Sequence, residues 1–237
     1  MNKFLQKLKF HFQRILFENF AIPNTRDEKI SKVVLRKYLP ANPVIIDCGA
    51  HDGSDSVALA NLFKKSTIHS FEPVSYLFKR LLLNTQPYIN IRCYNIALGD
   101  RNGTADFFLS EGESDASSSL LEPGTHLTDH PDTYFRKKET VTVKTLDQWA
   151  HENTIHKIDM LWLDMQGFEF NMLKASEIIL ENVSVIHTEI STRETYKGVT
   201  QYSDFRKFLE SKGFSVKMEA IPKGWDMGNV LFVKIKG

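Results

Sequence analysis

Acidic side chains stand near the ends of four short apolar runs of the sequence. Asp47 and Glu72 belong to the first two runs, and Asp164 and Glu189 to two later ones. Short continuous apolar runs are typical of buried strands in a parallel sheet, whose carboxyl ends share one edge. Carboxylates at that edge can accept hydrogen bonds from a ligand, act as general bases or bind a divalent cation.

The segment 47–53 is predicted to be a ligand-binding loop. It joins the first predicted strand to the first predicted helix, and an open α/β sheet binds ligands there, against the helix N-terminus. Its glycines would let the backbone approach the ligand closely. Glu72, at the tip of the second strand, could accept hydrogen bonds from both hydroxyls of a ribose. The two segments together indicate an adenosine-containing cofactor.

The same loop discriminates between cofactors. It carries Gly49 and Gly53 but lacks the GxGxxG pattern of dinucleotide-binding loops, which disfavours a dehydrogenase. Asp47 and Asp52 would repel a pyrophosphate, whereas they would suit a cationic ligand with an amino group. S-adenosylmethionine has a sulfonium, an α-ammonium and no phosphate, so it is the cofactor that the loop favours.

From residue 44 onward, predicted strands and helices alternate along the chain, and they must position the acidic residues and the loop 47–53. This alternation predicts an α/β fold, a Rossmann-like, mostly parallel central sheet with helices on both faces and antiparallel C-terminal strands. Strands are predicted at 44–50, 67–73, 89–98, 104–110, 139–146, 158–164 and 183–190, and in the C-terminal segments FSVKMEA and NVLFVKI. Helices are predicted at 54–63, 75–84, 146–152, 168–180 and 202–212.

Two segments lie outside this alternation. Residues 111–138 are rich in Ser, Asp, Pro and His, and we expect either a lid over the site or a mobile surface loop. Residues 1–40 are expected to form an N-terminal helical extension of a domain at 41–237. Apolar residues spaced by three or four within 4–20 predict an amphipathic helix, either packed on the domain or lying on an anionic membrane surface.

The composition excludes several classes of protein. The formal net charge is +1, so no basic field is available for a nucleic acid partner. No apolar run approaches the length of about 18 residues that a membrane-spanning helix needs. Cys48 and Cys93 supply neither a disulfide framework nor a zinc site. We therefore expect a cytoplasmic protein, peripheral at the inner membrane face if its N-terminal helix binds lipid.

Asp164 and Glu189 are the candidates for activating a second substrate. Both are predicted to end neighbouring strands at the cofactor edge, where they could hold Mg²⁺ or Mn²⁺. Alternatively, Asp164 acts directly as a base or contacts the cofactor's ammonium group. His187 should point the same way from its strand as Glu189, and it is either a general base or a hydrogen-bonded core histidine.

Several further side chains are weaker candidates for the site. Tyr196 and Arg193 could line the acceptor pocket, and His126 and His130 could bind a metal or be merely solvated. Trp225 could stack on a sugar face or cap the sheet edge, whereas Trp162 is expected in the core.

The sequence resembles the FkbM family of S-adenosylmethionine-dependent methyltransferases. The resemblance rests on DCGAHDG, FEP, NIALGD, the run Ser117-Ser118-Ser119-Leu120, VKTLDQW and IDMLWLDMQGFEFNMLKAS, in this order between about residues 44 and 216. It implies a class I methyltransferase fold and O-methylation, often of sugars or glycan-type natural products. It implies cofactor contacts for Asp47, Gly49, Gly53 and Glu72, with Ala97 and Leu98 bordering the adenine. The neighbouring residues Ala50, His51, Asp52 and Pro73 are also expected to contact the cofactor.

One position departs from the family pattern. Gln166 stands where the family most often has glutamate, but Asp164 and Glu169 are retained, so we expect a tolerated variant. The expected partner is a small-molecule or glycan hydroxyl acceptor. The alternative function is a non-catalytic S-adenosylmethionine-binding module that acts through a partner, and it predicts cofactor affinity without turnover.

Overall fold

The computed structural model describes residues 30–235. The amphipathic helix predicted within 4–20 lies outside the described residues, and the domain division at residue 40 stays a prediction. The described part of the predicted extension contains a 3-10 helix at Lys32–Lys37, where a helix was expected. Its Val34 and Leu35 are buried in the same hydrophobic cluster as Ile45 of the central sheet. Among the described helices, none is both long and apolar enough to cross a membrane.

The strands of the described chain form two sheets. They are β1 (Val44–Cys48), β2 (Thr67–Phe71), β3 (Ile91–Tyr94), β4 (Ala97–Leu98), β5 (Gly103–Gly112), β6 (Thr133–Lys144), β7 (Ile158–Leu163), β8 (Val183–Ser191), β9 (Phe214–Ala220) and β10 (Met227–Lys234). The large sheet has the order β3-β2-β1-β7-β8-β10-β9, and the small one has the order β4-β6-β5.

The large sheet has the predicted character. Its neighbours from β3 to β8 are parallel, and β10 is antiparallel to both β8 and β9. The strand order reverses direction between β1 and β7, and an open α/β sheet binds its ligands in the crevice at such a switch point. The carboxyl ends of β1 and β7 are therefore the expected place for the site.

Helices cover both faces of the large sheet. The α-helices of the described chain are α1 (Ser54–Leu62), α2 (Ser75–Thr85), α3 (His126–Asp129), α4 (Leu146–Glu152), α5 (Glu169–Lys174), α6 (Glu177–Leu180) and α7 (Tyr202–Ser211), of which α3 belongs to the connection between β5 and β6. Successive residues of a strand point to opposite faces. Accordingly, Ile46 packs in a cluster with Trp149 and Phe205, and Ile45 packs in another with Leu59.

Two of the predicted elements are divided in the structure. The predicted strand 89–98 forms β3 and β4, and between them the side-chain amide of Asn95 donates to the carbonyls of Glu72 and Pro73 (both 2.9 Å). The predicted helix 168–180 forms α5 and α6. It breaks near Ser176, whose hydroxyl oxygen accepts a hydrogen bond from the backbone N–H of Leu146 (3.2 Å).

The predicted loop 111–138 is shorter than expected. Strands β5 and β6 pair antiparallel as far as Gly112 and Thr133, so the connection spans 113–132 and contains α3. The ends of this hairpin show no apolar alternation in the sequence because their residues are mostly polar. We call residues 113–132 the connecting segment.

The loop after β1 is clamped between the ends of β2 and β7. The backbone N–H of Gly49 donates to the carbonyl of Phe71 (3.0 Å), and the N–H of Asp164 donates to the carbonyl of Cys48 (3.0 Å). Gly49 has a φ of 80°, and a Cβ added to it would lie 1.9 Å from the carbonyl oxygen of Asp164. Only glycine fits this approach, which holds the loop against the residue that follows β7.

Replacing Gly49 with alanine is expected to lower the free energy of unfolding by about 2 kcal/mol or more. A left-handed alanine costs about 1–2 kcal/mol by itself, and here backbone must also shift. Gly198→Ala is the matched control because Gly198 has a φ of 75° with nothing within 4 Å of an added Cβ. The free energy of unfolding of Gly198→Ala should fall only by the cost of a left-handed alanine, about 1–2 kcal/mol. Urea unfolding followed by tryptophan fluorescence measures both, and equal losses would contradict the close approach.

Candidate active site

A cavity of about 310 Å³ opens at the carboxyl ends of β1, β2 and β7. Its lining includes polar residues, which we call the polar wall, among them residues 49–52 and Glu72, and apolar residues, which we call the apolar wall, among them Leu77, Ile96 and Phe168. One polar and one apolar wall suit a ligand with a hydroxyl-bearing part and a flat heterocycle. We call this space the cofactor cavity.

Eight of the ten predicted cofactor residues line this cavity: Gly49, Ala50, His51, Asp52, Glu72, Pro73, Ala97 and Leu98. Asp47 and Gly53 are not in its wall. Asp47 is buried behind it and accepts a hydrogen bond from the hydroxyl of Ser56. A Cβ on Gly53 would lie 2.8 Å from Leu81, so this glycine lets α1 approach α2. We therefore assign both a supporting position rather than the direct contact expected from the sequence.

Glu72 is held by backbone donors at the rim of the polar wall. The N–H groups of His51 and Val74 donate to its two oxygens at 2.9 and 2.8 Å. Burial raises the pKa of Glu72 to about 8, against the lowering effect of these hydrogen bonds. A carboxylate oxygen has two lone pairs, so each oxygen can accept a further hydrogen bond from a ligand hydroxyl.

The connecting segment forms part of the cofactor cavity. Asp115, Ala116, Ser118 and Leu120 line it. Oδ1 of Asp115 lies 2.9 Å from Nε2 of His51, and its Oδ2 accepts a hydrogen bond from Arg80 at 2.7 Å. Of the two expected roles, these contacts favour a lid over the site rather than a mobile surface loop.

A second cavity of about 560 Å³ adjoins the first at the ends of β7, β8 and β10. Asp164 lines both cavities, and Glu189, His187 and Asn229 line the second. Trp225, which is 58% exposed, supplies an aromatic surface to this cavity. We call it the acceptor cavity because a second substrate placed there would lie beside the cofactor cavity.

The structure brings Asp164 and Glu189 together, as the sequence predicted. The link between them was missed: Nε2 of Gln166 donates to Oδ1 of Asp164 (2.7 Å) and to Oε2 of Glu189 (3.2 Å). The hydroxyl of Tyr196 lies 3.0 Å from Oε1 of Gln166. In the sequence, the departure of residue 166 from the family pattern is the one sign of this link. It does not identify the partners of Gln166, because Glu189 and Tyr196 belong to distant segments.

The arrangement of these donors does not fit the Mg²⁺ or Mn²⁺ that we expected. A hydrogen-bond donor, the amide of Gln166, stands between Asp164 and Glu189, where a cation would have to be coordinated. Within residues 30–235, no group of three or more His, Cys, Asp or Glu side chains is placed to hold a metal ion. His126 and His130 have ring centroids 4.8 Å apart but belong to no such group.

His187 lines the acceptor cavity in an apolar setting. Its ring stacks on Trp162 at 3.7 Å between centroids, and among the described residues its Nδ1 has no hydrogen-bond partner. Burial lowers the pKa of His187 to about 3, so the imidazole is neutral at physiological pH and a weak proton acceptor. This argues against a general base and also against a fully hydrogen-bonded core histidine. Trp162 is in the core, as predicted.

Arg193 belongs to a charged rim of the acceptor cavity. It pairs with Asp129 at 2.5 Å and with Asp226 at 2.9 Å. Tyr196, by contrast, is 1% exposed and supports the site from beneath. Burial raises the pKa of Tyr196 well above its usual range, so its hydroxyl stays protonated.

Comparison with known proteins agrees with this geometry. A family model described as the methyltransferase FkbM domain matches residues 47–216. The chain is 32% identical over 179 residues to the 2-O-methyltransferase NoeI of Sinorhizobium fredii, which covers 73% of this chain and 74% of that protein. It is 24% identical over 226 residues to the AMB antimetabolite synthetase AmbE of Pseudomonas aeruginosa, covering 83% of this chain and 11% of that protein.

Solved structures share the fold. An FkbM methyltransferase from Methylobacillus flagellatus KT superposes with a TM-score of 0.53 at 14% identity, and the match covers 81% of this chain and 44% of that one. A second match is the magnesium protoporphyrin IX methyltransferase ChlM from Synechocystis PCC 6803, which was solved with bound S-adenosylmethionine. Its TM-score is 0.50 at 13% identity, and the match covers 85% of this chain and 74% of that one. The predicted class I fold is confirmed, and the chain belongs to the FkbM family of S-adenosylmethionine-dependent methyltransferases.

Proposed function

We propose that this enzyme transfers the methyl group of S-adenosylmethionine to a hydroxyl of a sugar or glycan. The observation that carries the proposal is that Asp164 lines both the cofactor cavity and the acceptor cavity. A hydroxyl that donates to Asp164 from the acceptor cavity would stand at the junction of the two. The relative named as a 2-O-methyltransferase, at 32% identity, supports oxygen as the methylated atom.

The residues of the cofactor cavity suit S-adenosylmethionine. Glu72 would accept hydrogen bonds from the ribose hydroxyls, and the apolar wall around Leu98 and Phe168 would cover the adenine. Gly49 gives the loop the close approach that a substituted residue would block. When bound, the cofactor supplies an electrophilic methyl group on its sulfonium.

Asp164 is the candidate general base. A sugar hydroxyl is a weak nucleophile at neutral pH, and removal of its proton during attack lowers the barrier. Asp164 is exposed at the cavity wall, and the amide of Gln166 orients its carboxylate. Glu189 would bind a neighbouring hydroxyl of the acceptor and orient the ring, since positioning contributes much of the rate of a displacement.

The charges of the acceptor cavity favour a neutral acceptor. In the described wall, Lys32 pairs with Asp55 at 2.5 Å, and Arg193 pairs with two aspartates. A phosphate or carboxylate on the acceptor would therefore meet cations that are already engaged, and it would also face Asp164 and Glu189. Hydroxyl groups can donate to these carboxylates, and Trp225 offers a flat apolar surface to a sugar ring.

Glu72→Gln is expected to weaken binding of S-adenosylhomocysteine by about tenfold or more, because hydrogen bonds to a charged group are lost. In the ligand-free protein the pKa of Glu72 is about 8, and hydroxyl donors favour its ionised form. Binding should therefore release a proton, and the affinity should rise between pH 6.5 and 8.5.

Calorimetric titration in buffers of different ionisation enthalpy measures the affinity and the proton release together. The exposed Glu113→Gln is the control and should bind like the wild type. Unchanged affinity in Glu72→Gln, or the same pH dependence in both variants, would contradict the role given to Glu72.

Asp164→Asn should reduce methyl transfer by about 100-fold or more, the scale of a lost general base, while binding of S-adenosylhomocysteine changes by less than about twofold. Radiolabelled methyl transfer and calorimetry provide the two measurements. Asp106→Asn, an exposed residue of β5, serves as control. Loss of both binding and transfer would make Asp164 a cofactor contact, and full turnover would refute the mechanism.

Matched acceptors test the substrate class. A glucoside should be methylated with a kcat/KM at least about tenfold above that of the corresponding glucuronide, because the carboxylate is repelled and finds no unengaged cation in the described wall. A panel of paired neutral and acidic glycosides, assayed with S-adenosylmethionine, measures the ratio. A preference for the acidic member would contradict the charge argument. Cofactor binding without turnover on any hydroxyl acceptor would favour the non-catalytic module.

A further inference from the structure

We propose that Gln166 is the positioning residue of the acceptor cavity, with its side-chain amide standing in the place of a metal ion between Asp164 and Glu189. The inference rests on the proposed function, in which these two carboxylates receive the acceptor. It assigns Gln166 the role of holding the carboxylates of Asp164 and Glu189 in a fixed relative position without a divalent cation.

The orientation of the amide follows from its partners. One nitrogen, Nε2 of Gln166, lies 2.7 Å from Oδ1 of Asp164 and 3.2 Å from Oε2 of Glu189. A primary amide nitrogen carries two hydrogens, so it can donate to both carboxylates at once. Without a cation between the carboxylates, the reversed amide would place its oxygen against both of them, and repulsion disfavours it. The bridge is therefore a pair of charge-assisted hydrogen bonds.

The other end of the amide is fixed by a buried hydroxyl. The hydroxyl of Tyr196 lies 3.0 Å from Oε1 of Gln166 and 2.7 Å from the carbonyl of Ser117. Because Tyr196 is buried and protonated, its single O–H is a donor that these two acceptors share. The hydroxyl of Ser119 also donates to the carbonyl of Gln166 (2.8 Å). Backbone and side chain of Gln166 are thus both anchored, which gives the bridge a defined position.

The amide of Gln166 reduces the repulsion between the two carboxylates, as a cation would, but it does so with partial charges. Two ionised carboxylates near one another repel, and a positive potential between them offsets this repulsion. The N–H groups of Gln166 supply that positive potential. Because Oε1 of Gln166 faces Tyr196, the amide presents N–H groups rather than a ligand oxygen to the two carboxylates, and this arrangement makes a poor site for Mg²⁺ or Mn²⁺. Methyl transfer should therefore be independent of divalent metal.

Gln166→Glu is the decisive variant because it is nearly isosteric but replaces the donor with a third carboxylate. Methyl transfer in EDTA should fall by about 100-fold, the scale of a misplaced reacting group. The variant should bind Mn²⁺ in a calorimetric titration in which the wild type shows no binding, and Mn²⁺ should restore part of the activity. Residue 166 has a φ of 53°, which glutamine and glutamate adopt at similar strain.

Two further variants separate positioning from folding. Gln166→Met keeps the length of the side chain without the hydrogen bonds, so it should lose turnover without gaining Mn²⁺ binding. Gln148→Glu alters an exposed glutamine that donates to Glu152, and it should retain wild-type turnover and bind no Mn²⁺. Binding of S-adenosylhomocysteine verifies that each variant is folded.

Loss of wild-type activity in EDTA with recovery on Mn²⁺ would overturn the inference, as would full metal-free activity in Gln166→Glu. The Mn²⁺ titrations need no acceptor. If no hydroxyl acceptor is methylated, that failure counts against the proposed function alone. Binding of Mn²⁺ to the wild type, or no binding of Mn²⁺ to Gln166→Glu, would still refute the inference that the amide of Gln166 takes the place of a metal ion.

Discussion

The contact of Gly49 with the carbonyl of Asp164 is the constraint on which the rest of the site depends. It presses the loop after β1 against the end of β7, at the point where the strand order reverses. The loop supplies the polar wall of the cofactor cavity, and Asp164 supplies a side chain that is shared with the acceptor cavity. A single close backbone approach thus sets the relative position of the two cavities.

Around this contact the protein buries acidic groups at a cost in solvation. Burial raises the pKa of Asp47, Glu72 and Glu169 to about 7, 8 and 7. Raised pKa values mean that folding takes up protons between about pH 4 and 8, so these groups lower the stability of the ligand-free protein as the pH rises. Hydrogen bonds from Ser56, His51 and the backbone of Met165 offset part of the desolvation.

The sequence predicted the large sheet and the wall of the cofactor cavity because both depend on local patterns. Short apolar runs mark parallel strands, and a glycine-containing loop after the first strand marks the ligand site. It could not predict the bridge at Gln166, since its partners Asp164, Glu189 and Tyr196 meet only in the fold. Nor could the sequence place Asp47 behind the wall of the cofactor cavity. The carboxylate of Asp47 accepts a hydrogen bond from the hydroxyl of Ser56, which lies on the following helix.

The connecting segment touches both cavities, with Asp115 at the cofactor side and His126 and Asp129 at the acceptor side. It is carried by the hairpin of the small sheet, outside the strands that bear Glu72 and Asp164. We therefore expect that substitutions in this segment can reshape the acceptor cavity without disturbing the strands of the large sheet. Because the same segment lines the cofactor cavity, we expect such substitutions to change the affinity for the methyl donor as well.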